Sequence, residues 1–135
     1  MDRKNILFWL KCSFLIGAIT DALALIPMLC PSVTKIMWGF DSFSHSYYFA
    51  MGYGASLMFA WTILLIWAFM KPLTRRFVAL LTDIVIIGLI TTETTMIILG
   101  FMDIRKLMPT IVLQFILFVL FGFSFIKSEK FKAVE

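Results

Sequence analysis

The sequence predicts an all-α integral membrane protein: an up-down bundle of four transmembrane helices with both termini in the cytoplasm. Three observations predict it. Hydrophobic residues make up 61% of the 135 residues, and mean hydropathy is +0.98. A soluble domain of this size has too little interior to hide that much apolar surface. Four apolar runs, at about 6–29, 47–70, 77–101 and 107–126, each approach the ~20 residues that cross a bilayer as a helix. The basic residues then divide unequally between the two sides of this threading.

Each element follows from its residues. The first run, from Ile6 to Leu29, starts after the charged Asp2-Arg3-Lys4. Ala22-Leu23-Ala24 imitates a signal-peptidase site, but Lys11 and Asp21 interrupt the apolar region and it continues past Ala24, so the run reads as a retained span. Residues 30–46 form the one long loop, which carries Pro31, Trp38, Gly39, Asp41 and His45. The second run is Tyr47–Met70 and the third Phe77–Phe101, joined by the short basic stretch Lys71–Arg76. The fourth, Leu107–Ile126, precedes the tail 127–135, whose Lys127, Lys130 and Lys132 suit an anionic lipid surface. Lipid forces each run to close its own backbone hydrogen bonds, so helices are required. Short connections make consecutive helices antiparallel neighbours. The chain is one membrane domain, 1–135.

Orientation follows from the twelve Lys and Arg residues. Arg3, Lys4, Lys11, Lys71, Arg75, Arg76, Lys127, Lys130 and Lys132 fall on one side. Lys35, Arg105 and Lys106 fall on the other. The positive-inside rule assigns the first group to the cytoplasm and places the protein in a cell membrane as a multi-pass chain. Phe8, Trp9 and Trp67 then mark the inner interface, and Trp38, Phe40, Phe43, Tyr47 and Tyr48 the outer one.

Several function classes are excluded. The formal net charge of +4 reflects topology signals rather than a nucleic-acid face, and no base-stacking motif accompanies it. Cys12 and Cys30 are about 27 Å apart along one helix, beyond disulfide reach. A single histidine without carboxylates at ligand spacing makes no metal site. No nucleotide, haem or hydrolase fingerprint occurs, and no cofactor is expected.

Four ionisable residues interrupt the spans, and each costs about 2.5–3.5 kcal/mol to insert. Lys11 and Asp83 lie at equal depth in the inner half, which predicts an ion pair between spans one and three. Asp21 and Glu93 each lie ten residues further out, about 15 Å away. Around that level the spans offer Thr20 with Asp21, Tyr53 and Ser56, Thr92 with Glu93, and Gln114. This convergence predicts an outward-facing acidic pocket for a small lipophilic or cationic ligand. Gly52, Ser56 and Ala60 form a small-residue strip for close helix packing, within the chain or against a second copy.

Three functions compete. The leading one is binding or transport of that ligand. A structural or accessory subunit, whose polar layer sets helix packing and assembly with a homo-oligomer or membrane partner, is the alternative. An intramembrane acid/base enzyme acting on a lipid-like substrate is the third and the least supported.

Overall fold

The structure, a computed structural model, describes residues 2–134, with side chains described through residue 131. The side chain of Lys132, part of the expected lipid-contacting tail, lies outside that range. Five α-helices follow in order: α1 Arg3–Leu29, α2 Pro31–Trp38, α3 His45–Met70, α4 Phe77–Ile98 and α5 Ile104–Ser128, closed by a 3₁₀ helix, Glu129–Val134. No strand occurs among the described residues. α1, α3, α4 and α5 (extended to Phe131) are each long and apolar enough to cross a membrane.

The helix ends have local causes. Ser44 caps α3, its hydroxyl accepting from the Tyr47 amide at 3.2 Å. Asp103 caps α5 in the same way, accepting from Arg105 at 2.9 Å. Gly100, at φ +74°, turns the chain between α4 and α5, a conformation that glycine adopts without strain. These caps start α5 three residues before the apolar run does. They also end α4 at Ile98 rather than Phe101.

The expected loop 30–46 holds a short helix. Pro31 opens α2 at its first turn, and Gly39 closes it in the left-handed region at φ +79°. The buried Thr34 hydroxyl pins α2 in place: it bonds the Pro27 and Cys30 carbonyls and accepts from Tyr47 OH at 2.9 Å. α2 thereby rests on the ends of α1 and α5.

Packing sets a lateral order that differs from chain order. α1 packs broadly on α3, α5 packs broadly on α4, and α1 and α5 face each other between them. α3 and α4 touch only lightly despite their short connection; one link is Trp61 Nε1 donating to Thr82 Oγ1 at 3.3 Å. Facing positions run in opposite senses. Gly17 lies against Leu65 and Gly54 against Met28 for α1 and α3. Phe77 meets Phe125 with rings tilted by 55°, and Gln114 bonds Glu93, for α4 and α5.

The core forms where α1 meets α5. Ile6, Leu10, Phe14, Leu65, Ala79, Leu117 and Phe121 are buried there. Inside it, the Ser13 and Ser124 hydroxyls lie 2.8 Å apart, while Ser13 also reaches the Trp9 carbonyl at 2.8 Å. Ser13 also reaches across the interface to the Leu120 carbonyl at 3.4 Å. Gly17 allows this approach, since α1 there meets Phe121 and Leu65 at once.

Candidate functional site

The candidate site is the seam between α4 and α5. α4 carries Asp83 and Glu93, ten residues apart. That spacing falls about 80° short of three full turns, close enough for one neighbouring helix to meet both. α5 supplies the complements: Gly122 at the level of Asp83, and Gln114 at the level of Glu93.

Gln114 is only 8% exposed, and its Nε2 donates to Glu93 Oε1 at 2.9 Å. Glu93 itself is half-buried. The second oxygen of each group, Glu93 Oε2 and Gln114 Oε1, is buried with no hydrogen-bond partner. With Glu93 ionised, both atoms only accept. A buried acceptor without a donor costs about 1–3 kcal/mol, so this pair is primed for a donor-bearing group.

Asp83 is sealed more tightly, at 7% exposed. Its Oδ1 also lacks a partner. A Cβ on Gly122 would stand 3.2 Å from its Oδ2, so the glycine makes the room that the carboxyl occupies. The neighbouring Thr82 hydroxyl donates to the Val78 carbonyl at 2.7 Å and accepts from Trp61, so it does not serve Asp83.

The ion pair expected between Lys11 and Asp83 does not form. Lys11 is exposed and its Nζ lies over the Phe69 ring at 5.6 Å. The reason is lateral order: α5 stands between α1 and most of α4. Arg76 does not pair with Asp83 either; it donates to the Ser128 carbonyl at 3.1 Å. The one ion pair among the described residues is Lys35–Asp41 at 3.4 Å, on the surface.

The same order separates Asp21 from Glu93. Asp21 is half-buried on α1, and no hydrogen bond or ion pair reaches it among the described residues. Thr20 and Thr92 bond the carbonyls of Ile16 and Gly88 on their own helices, each at 2.9 Å. Tyr53, at 65% exposed, and Ser56 face outward on α3. Ser56 donates to the Gly52 carbonyl at 2.9 Å. Of the expected polar layer, the structure joins Glu93 and Gln114 alone.

The strip of Gly52, Ser56 and Ala60 is uncovered. A Cβ on Gly52 would meet nothing within 4 Å, so no helix of this chain packs on it. Gly52 and Ser56 instead line a shallow surface groove with Tyr48, Phe49, Tyr53 and Leu57. His45 is exposed at the first turn of α3. No cluster of three or more His, Cys, Asp or Glu side chains able to hold a metal occurs among the described residues.

Gly122, Ser124 and Ser13 are the positions that sequence reasoning passed over. The signal was present: Phe121-Gly122-Phe123-Ser124-Phe125 sets small residues between phenylalanines, the pattern of a close helix approach. Comparison with protein-family models, curated proteins and solved structures finds no match to this chain.

Proposed function

We propose that this chain crosses a cell membrane four times, up and down with both termini cytoplasmic, and binds a small lipophilic or cationic ligand at the outer part of the α4–α5 seam. The threading is supported by the nine-to-three division of basic residues and by the opposite senses of the facing positions. The ligand reading is carried by one observation: Glu93 Oε2 and Gln114 Oε1 are two buried acceptors without donors, on side chains already bonded to each other. Intramembrane carboxyls are expensive and tend to mark ligand or ion paths. The pocket proposed here is smaller than the four-helix layer expected from sequence, because it draws on α4 and α5 alone.

The test is ligand-dependent stabilisation in lipid nanodiscs. Octylammonium and octyltrimethylammonium serve as cations and octanol as the neutral control. At least one cation stabilises the wild type, octanol does not, and Glu93→Gln removes the effect. Equal shifts with octanol, or shifts unchanged in Glu93→Gln, overturn the reading.

A second reading, an accessory subunit, is favoured by the uncovered Gly52–Ser56–Ala60 strip. It predicts a homo-oligomer or a bound membrane partner that Gly52→Leu disperses. A monomer without partner in nanodiscs removes it.

A further inference from the structure

The atoms left free at the Glu93–Gln114 pair restrict the ligand further. Gln114 has spent one amide hydrogen on Glu93 Oε1. What remains buried and unserved is one carboxylate oxygen and one carbonyl oxygen. Gln114 keeps a second amide hydrogen, but it serves neither of these oxygens. An occupant that satisfies the pair brings positive charge for Glu93 and at least two N–H donors, one for each oxygen.

We infer that the ligand is a lipophilic cation bearing N–H donors, with a primary alkylammonium as its simplest member, and that quaternary cations are selected against. The inference rests on the reading of the seam as a cation site. A primary ammonium has three N–H donors on a compact head. It places one on Glu93 Oε2 and one on Gln114 Oε1. A trimethylammonium head has the same charge, more volume and no donor. It leaves both oxygens buried and unpaired, which is the condition that makes a site reject an analogue lacking its donor. The apolar tail has a path, because Leu113 and Phe115, which flank Gln114, face outward, as do Thr94 and Thr95 beyond Glu93.

Charge-assisted hydrogen bonds set the size of the preference. One such bond corresponds to about tenfold or more in affinity. Calorimetric titration of wild-type protein in phosphatidylcholine nanodiscs with octylammonium and octyltrimethylammonium measures it. The expected result is octylammonium binding tighter by about tenfold or more. In Gln114→Met, which removes the carbonyl acceptor and keeps the carboxylate, the preference loses the factor of about ten that the bond to Gln114 supplies. In Glu93→Gln, specific binding of both cations is lost. Equal affinities in the wild type, both lost in Glu93→Gln, keep the cation site and overturn the donor requirement. Binding of neither cation, or binding indifferent to Glu93, overturns the cation site itself, and the two oxygens are then served by a proton held between them. The wild-type comparison of the two cations needs no variant, so misfolding of a variant leaves the donor requirement testable.

Discussion

Replacing Gly17 by alanine tests the packing order directly. A Cβ at this position would stand 2.7 Å from Phe121 Cζ, 3.1 Å from Phe121 Cε2 and 3.3 Å from Leu65 Cδ1. Carbon atoms prefer about 3.5–4.0 Å, so the closest contact is short by about 0.8 Å. Phe121 and Leu65 are fully buried, so neither can swing out into solvent. Overpacking of this kind costs about 1–3 kcal/mol. Alanine returns up to about 1 kcal/mol of helix propensity. The matched control is Gly88→Ala, where nothing lies within 4 Å, so only the propensity gain applies. The difference between the two variants cancels propensity and reports the clash alone: about 1–3 kcal/mol. Unfolding by SDS in mixed micelles, followed by tryptophan fluorescence, measures it. Adding Phe121→Leu to Gly17→Ala relieves the clash, so the double variant is more stable than the two single losses sum to. If Gly17→Ala matches Gly88→Ala, then α1, α3 and α5 do not meet at Gly17, and the lateral order derived above is wrong.

Three further outcomes are expected. In a double-mutant cycle, Ser13→Ala and Ser124→Ala couple by about 0.6 kcal/mol, the usual size for an interhelical bond in a membrane; additive losses remove the bond. Lys11→Met and Asp83→Asn show no coupling beyond about 0.3–0.5 kcal/mol, because no ion pair joins them; a coupling above 1 kcal/mol in the same unfolding assay restores the pair. Cys30 is exposed and Cys12 half-buried, so an impermeant maleimide applied outside intact cells labels Cys30 and spares Cys12. Labelling of Cys30 only after the inner face is opened reverses the proposed orientation.

Some of this architecture was legible in the residues, and some was not. Apolar run length located all four long helices, because lipid leaves the backbone no other option. The α2 helix was legible in principle. Pro31 and Gly39 bracket eight residues with the usual start and stop signals, but a run of eight is masked when its surroundings read as a loop. Depth was legible too: rise per residue correctly set Glu93 level with Gln114. Lateral neighbours were not. Equal depth made Lys11 a partner for Asp83 and Asp21 a partner for Glu93, yet depth says nothing about which helix stands alongside. That is decided by Gly17, Ser13, Gly122 and Ser124, whose small size lets α1 and α4 each approach α5. Their effect comes from side chains that are missing, and a missing side chain leaves little trace in hydropathy.

The polar residues of the long helices divide by whether the backbone can serve them, and this division locates function better than their number does. Thr62, Thr91 and Thr95 each donate to the carbonyl four residues before, at 2.7–2.9 Å, as do Thr20, Ser56 and Thr92. A hydroxyl bonded in this way faces lipid at little cost, so Thr91, Thr92 and Thr95 around Glu93 need no ligand to explain them. A carboxylate has no such route. It only accepts, and the amides of a helix interior are already committed to its own carbonyls. Asp83, Glu93 and Gln114 therefore keep buried oxygens unserved, and among the described residues no threonine does. Asp83 is closed off at Gly122, whereas Glu93 is half-buried and so within reach of a molecule from outside. Among these groups Glu93 combines an unmet requirement with access, and that combination, more than the presence of acid in an apolar helix, marks the Glu93–Gln114 end of the α4–α5 seam.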